Sequence, residues 1–224
     1  MATIHGIPGE WARVKGSVAG LWPLFVGVFA SGFSVALMLV NALWGAVLLV
    51  VSLVYIIWSL VLGLRHVERF FKGARGEEKV SGILSSLPDA YHVFNDFTIG
   101  RNHIDHVVVG PSGVFAVETK FWNGKVTIED GHVLLDEQLP NRSPIVQVVR
   151  EATLVKNALA ELGWKGMVTP VLAFASDTFV ARRANVRGTM IMNSNELKDS
   201  FATDRVIVSA AELDRLVGLM ESNQ

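Results

Sequence analysis

Two short segments carry carboxylates at a spacing that suits a cation. Ile104–Val109 and Val114–Lys120 flank the turn Gly110-Pro111-Ser112-Gly113, the pattern of a β-hairpin. Period-two alternation puts His103, Asp105, Val107 and Val109 on one face with Val114, Ala116, Glu118 and Lys120. Ile104, Val108, Phe115 and Val117 fall on the other face, which reads as core. Asp105 then opposes Glu118, with Cβ atoms about 4.5–5.5 Å apart. Carboxylates set that way repel, and a hard divalent cation such as Mg²⁺ or Mn²⁺ removes the cost. Lys120 lies two residues along the same face, placed to touch whatever the ion holds. The plainer alternative is a solvated ladder in which Lys120 neutralises both acids.

The elements around this hairpin must position it. A helix is expected over Glu77–Leu87, with Val80, Ile83, Leu84 and Leu87 as its apolar stripe and Pro88 as its stop. Glu77 lies in line with that stripe and points inward, while Glu78 turns outward. An inward Glu at a helix start is either a cap-like structural group or a further member of an acidic site. Strands are expected at Tyr91–Phe97, Lys125–Ile128 and His132–Leu135. A long helix starts with Ser143 as N-cap and Pro144 at its first position and runs to Leu162. After it come a buried strand over Val168–Ala175, a strand at Thr189–Met192, a short helix near Glu196–Phe201 and a strand at Arg205–Val208. A last helix opens with a capping box, Ser209 and Glu212. His103 and His106 alternate to opposite strand faces and so do not chelate as a pair; His106 reads as a packed histidine.

Every residue from Gly16 to Leu64 is uncharged. One crossing of the ~30 Å hydrocarbon core takes about 20 residues, so the run fits two helices, near 21–40 and 43–64. Arg13 and Lys15 precede the first; Arg65, Arg69, Lys72 and Arg75 follow the second. The positive-inside rule places both ends in the cytoplasm of a cell (inner) membrane protein. A rival reading takes Arg13–Gly32 as a cleaved signal peptide, and it leaves the C-terminal domain on the same side. The organisation expected is an N-terminal segment 1–17, a hairpin 18–64 in contact with the bilayer, a basic joint 65–76 and a globular domain 77–224.

Composition narrows the chemistry. There are no cysteines, which excludes a disulfide scaffold, a thiolate zinc site and an iron–sulfur cluster. Lysine and arginine number 20 against 21 acidic residues, which excludes coating nucleic acid by charge alone. No Walker phosphate loop, His-Glu-x-x-His or Gly-x-Ser-x-Gly motif occurs.

Several motifs, in order, resemble a known family. Gly73-x-x-Gly76-Glu77, Ile104-Asp105-His106-Val107-Val108-Val109-Gly110, Gly113-Val114-Phe115-x-Val117-Glu118-Thr119-Lys120 with Gly124, and Pro144-Ile145-Val146-Gln147 are similar to those of the nuclease-related domain, NERD. That family belongs by resemblance to the PD-(D/E)xK nuclease superfamily. The chain departs from the superfamily's pattern at Ile104, where its name has proline, and at Phe121, which follows the lysine and would narrow the groove.

The resemblance implies an α/β, restriction-endonuclease-like fold: a mixed sheet flanked by helices, here preceded by the two-helix transmembrane hairpin. It further implies metal-dependent phosphodiester hydrolysis, on DNA ahead of RNA. Asp105, Glu118 and the Thr119 carbonyl would hold Mg²⁺ (or Mn²⁺), Lys120 would orient water or stabilise charge on the phosphate, and Glu77 would bind a second metal or position water. Gln147 would be a groove contact. Arg75, Lys79, Lys125, Arg142 and Arg150 are candidate phosphate contacts by their closeness to the motifs. The competing function is a nuclease-like module without catalysis that binds nucleic acid or a protein partner at the membrane.

Overall fold

The computed structural model describes residues 1–222, apart from the side chains of His66 and Arg69. Arg69, one of the flanking cations of the topology reading, therefore has its side chain outside the described residues. Two compact units divide the chain: Glu10–Ala74, and Met1–Gly9 together with Arg75 onward.

The first unit is a pair of helices, each long and apolar enough to cross a membrane. They are α1 (Glu10–Met38) and the first part of α2 (Ala42–Leu84). Contacts between Gly16 and Phe70, Gly20 and Gly63, and Gly27 and Ile56 run in opposite senses along the two, so the helices are antiparallel. Glycine is required at their closest approach. A Cβ on Gly63 would stand 2.7 Å from the Gly20 carbonyl oxygen, and one on Gly20 would stand 2.5 Å from Val67. The joint expected over 65–76 and the separate helix expected from 77 both lie within α2. Nothing in this stretch contains proline, and its glycines at 73 and 76 are tolerated inside the helix.

The second unit is a mixed α/β domain on a seven-stranded sheet. Its strands are β1 (Thr3–His5), β2 (His92–Ile99), β3 (Asn102–Gly110), β4 (Gly113–Lys120), β7 (Val168–Phe174), β8 (Arg183–Val186) and β9 (Thr189–Asn193), in the order β1-β2-β3-β4-β7-β9-β8. The pairs β1–β2, β4–β7 and β7–β9 are parallel, and the others antiparallel. A separate hairpin, β5 (Val126–Glu129) with β6 (His132–Leu135), stands beside it. The C-terminal turns of α2 and the short α4 (Leu197–Phe201) cover one face through Val80, Leu84, Val108, Phe115, Val117 and Phe201. α3 (Pro144–Glu161) and α5 (Ala210–Glu221) cover the other through Val107, Val109, Ala116, Val155, Leu159 and Leu216.

Two strands were not legible as such. β1 lies along β2, with Thr3 paired to His92 and His5 to Phe94, and the His5 ring stacks on Phe94 at 4.3 Å. β8 pairs with β9 at the far edge. Conversely, Arg205–Val208 is not a strand. Ile207 and Val208 donate their N–H groups to a single acceptor, the Pro111 carbonyl in the β3–β4 turn, and Val206 and Ile207 stay exposed. One carbonyl does not make a ladder. Ser209 does stand at the N-cap of α5 but its side chain caps nothing; Glu212 instead accepts a 2.8 Å hydrogen bond from the Trp164 indole.

Candidate metal and phosphodiester site

The β3–β4 hairpin has the expected register. Val109 pairs with Val114 and His106 with Val117, each pair following the same sum. Pairing stops there. The Thr119 N–H, which further ladder pairing would direct at the β3 backbone, donates instead to the Asp105 carboxylate at 2.8 Å.

The expected face pattern does not survive at this point. Ile104 and Val107 lie in the same core cluster, three residues apart, and so do Phe94 and Phe97 on β2. Strict alternation would send the members of each pair to opposite faces. Both strands therefore skip a step where Asp96 faces Asp105 in the register, and Asp96 carries a positive φ of 51°. Such local breaks re-aim side chains beside functional sites. Here the break turns Asp105, with His103, toward α2, while the Asp105 charge still reaches Glu118 and Lys120.

On the α2 side, Glu77, His103 and Asp105 each offer a ligand atom within 4.8 Å of the other two. His103 Nε2 stands 3.1 Å from Asp96 and 3.6 Å from Asp105. Burial alone would push the His103 imidazolium down, but the hydrogen bonds and charges of Asp105 and Asp96 outweigh it and raise it to about 10. Glu77 is 7% exposed, and its Oε2 is buried with no hydrogen-bond partner among the described residues. Burial first, then the charges of Asp105 and Asp96, push its carboxyl up to about 8. The Gly9 backbone N–H, at the end of the N-terminal segment, partly offsets this by hydrogen bonding to it. Gly76, one residue before Glu77, lets α2 approach β4. A Cβ there would meet Phe121 at 3.0 Å, so Phe121 packs beneath the helix instead of narrowing a groove.

On the α3 side, Lys120 donates to Glu118 in a short ion pair and to Gln147 Oε1 at 3.0 Å. Gln147 passes the contact on through its Nε2, which donates to Glu151 at 3.0 Å. Burial and the nearby Asp105 charge raise the Glu118 carboxyl well above its ordinary range. Burial likewise raises Glu151. Lys120 is raised, because Glu118 outweighs the desolvation that would lower it. Asp105 itself stays low despite burial, held by His103, Lys120 and the Thr119 amide.

Five residues of the expected set thus converge: Glu77 and Asp105 on one flank, Glu118, Lys120 and Gln147 on the other, with Thr119 bonded to Asp105 through its N–H. Among the candidate phosphate contacts, Arg142 and Arg150 line an open groove of about 500 Å³ together with Gln147 and Val146. Arg75 and Lys125 are exposed on other segments. Lys79 is engaged elsewhere, with its ammonium 2.6 Å from both Asp177 and the Ala175 carbonyl. Arg182 and Arg183, at the start of β8, are paired with Glu196. His106 is buried and bonded to Asn95 at 2.7 Å, and burial pushes it down to about 4, so it is a neutral packing group.

Three residues that meet at the site were not among the site candidates read from the sequence. His103 had a signal, its period-two spacing from Asp105. Glu151 also had one, its i+4 spacing from Gln147. Gly9 had none.

The mixed sheet thus brings buried carboxylates, a lysine and a glutamine together beside a groove lined by Arg142 and Arg150. Residues 72–175 match the family NERD, the nuclease-related domain. The match contains every residue of both flanks, and it supports the resemblance read from the motifs. The chain is 39% identical over 66 residues to an uncharacterised protein of Bacillus anthracis, an overlap of 27% of this chain and 31% of that protein. The matched stretch thus spans about a third of the relative's length. No solved structure matches the chain.

Proposed function

We propose that the protein is a membrane-anchored, metal-dependent nuclease that hydrolyses phosphodiester bonds in DNA. The observation that supports it best is the position of Asp105 between two flanks, Glu77 with His103 and Glu118 with Lys120, all inside the NERD match. Burial raises the carboxyls of Glu77, Glu118 and Glu151 toward the protonated form, so they take up full negative charge only where a bound cation replaces the proton. A lining rich in carboxyl oxygens suits a divalent ion, and the ligand atoms of Glu77, His103 and Asp105 lie within 4.8 Å of one another. Asp105, Glu118 and the Thr119 carbonyl would hold Mg²⁺ or Mn²⁺, which when bound polarises a phosphate and lowers the pKa of water. Lys120 stays protonated and places its charge where a phosphoryl oxygen gains charge. Gln147 fixes the Lys120 ammonium, and Arg142 and Arg150 hold the strand along the groove. The two apolar helices anchor the domain to the bilayer, with both ends on the cytoplasmic side by the charge of their flanks.

A second reading has its own observation. Lys120 is closed onto Glu118, as it would be in a nuclease-like module that binds nucleic acid or a protein partner without cutting. Incubating the full-length protein in detergent with labelled DNA and RNA, single- and double-stranded, separates the two. Cutting that needs Mg²⁺ or Mn²⁺ and stops in EDTA supports the nuclease. A folded protein that retains DNA without cutting it under any metal overturns it in favour of the binding module.

A further inference from the structure

We propose that Glu151 is a positioning residue: it decides which way the Gln147 amide points, and through that amide it holds the Lys120 ammonium in place. The inference rests on the nuclease reading, in which Lys120 supplies the charge that meets a phosphoryl oxygen.

The geometry of the α3 flank carries it. A glutamine side chain accepts at one end and donates at the other, whereas a lysine ammonium only donates. Lys120 therefore needs the oxygen end of Gln147, and it donates to Oε1 at 3.0 Å. Glu151 takes the other end, accepting from Gln147 Nε2 at 3.0 Å. A flipped amide would set N–H groups against the ammonium, and Gln147 would lose its hold on Lys120. Glu151 stands four residues after Gln147 on α3, so the helix itself puts the two side by side.

Burial is the second observation. Glu151 is 2% exposed on the covered face of α3, three residues after Val148 and four before Val155. An apolar side chain would be buried there at less cost, so the carboxyl is there for what it bonds. It does not line the groove, which is formed by Arg142, Ser143, Val146, Gln147 and Arg150. Its carboxyl also faces that of Glu118, so it borders both side chains that accept from Lys120. Glu151 thus acts through its neighbours and not on the strand.

The test uses the full-length protein in detergent, with thermal melts to check the fold of each variant. Glu151→Leu should lower kcat for DNA cleavage roughly tenfold with KM moving less than about twofold, because the groove is untouched. Glu151→Gln keeps an acceptor for Gln147 and should restore kcat to within about threefold of wild type. Adding Glu151→Leu to Gln147→Ala should cost nothing further, since the amide it orients is gone. A further tenfold loss in that double variant overturns the proposal, as does a loss in Glu151→Gln equal to that in Glu151→Leu. Glu151→Ala takes the place of a leucine variant that does not fold.

Lys120 is also read without substrate, by timed acylation with a succinimidyl ester and mass spectrometry, using the exposed Lys125 as reference. Labelling of Lys120 should be roughly threefold faster in Glu151→Leu and in Gln147→Ala, as for loss of one modest hydrogen bond. An unchanged rate in Glu151→Leu overturns the positioning role even where the wild type cuts DNA. Faster labelling in a protein whose wild type cuts nothing removes the nuclease reading and leaves Glu151 as the residue that holds Lys120.

Discussion

The two flanks of Asp105 solve the problem of buried charge differently. On the α3 side, Lys120, Glu118, Gln147 and Glu151 form a chain in which each side chain already bonds the next. On the α2 side, the charge is balanced by His103 between Asp96 and Asp105, and one Glu77 oxygen has no hydrogen-bond partner among the described residues. The first flank is arranged around the Lys120 ammonium, which bonds both Glu118 and Gln147. The second is arranged around a histidine set between two carboxylates.

Replacing the shared residue should have the largest effect. Asp105→Asn keeps an oxygen for the Thr119 N–H but removes the charge common to both flanks. Cleavage should fall on the order of 10⁴-fold, with divalent binding lost on calorimetry. Retained cutting would mean that the flanks work independently.

Lys120→Ala should split the two roles. Cutting falls by about 10²–10³-fold, as for loss of one transition-state donor, while divalent affinity holds or tightens because a cation beside Asp105 and Glu118 is gone. Parallel loss of binding would place Lys120 in the metal's support instead.

The α2 flank should show itself in stability against pH. The folded-state pKa of Glu77 is about 8, above its ordinary 4.5, so the folded form keeps a proton that the unfolded chain releases. That contribution is complete below pH 4.5 and is lost as pH rises through 8. His103, raised from 6.5 to about 10, adds loss in the same direction at higher pH. Thermal melts in EDTA should therefore fall in Tm between pH 5 and 8, and Glu77→Gln should flatten that part. A Tm that rises over this range would show that Glu77 is not held protonated.

The smallest effects belong to the groove. Arg142→Ala and Arg150→Ala should each lower the slope of log affinity against log salt by about 0.9 for duplex DNA, read from filter binding at several ionic strengths. An unchanged slope would move the strand's path away from Gln147.

Much of this architecture was legible because its signals are local. The Gly110–Gly113 turn set the β3–β4 register down to His106 and Val117. Ser143 and Pro144 marked the start of α3, and the Ser143 side chain does accept from the Val146 N–H. The uncharged run from Gly16 to Leu64 announced two long apolar helices. The misses share the opposite character. Arg205–Val208 alternates like a strand yet finds only the Pro111 carbonyl to bond, and Thr3–His5 is too short to stand out until β2 lies beside it.

The candidate site divides along the same line. Residue types and spacing alone identified Asp105, Glu118 and Lys120 as one chemical group and put Glu77 on the buried stripe of its helix, because hairpin registers and helical periods are properties of neighbouring residues. Spacing could not show that β2 and β3 both skip a step at Asp96 and Asp105, since that break is a compromise among side chains that meet only when the sheet is packed between its helices. It is the break that turns His103 and Asp105 toward Glu77, and the fold that brings the Gly9 amide from the far N-terminal segment to the same carboxylate. Contacts of that range depend on which surfaces are buried together, and no stretch of sequence encodes them by itself.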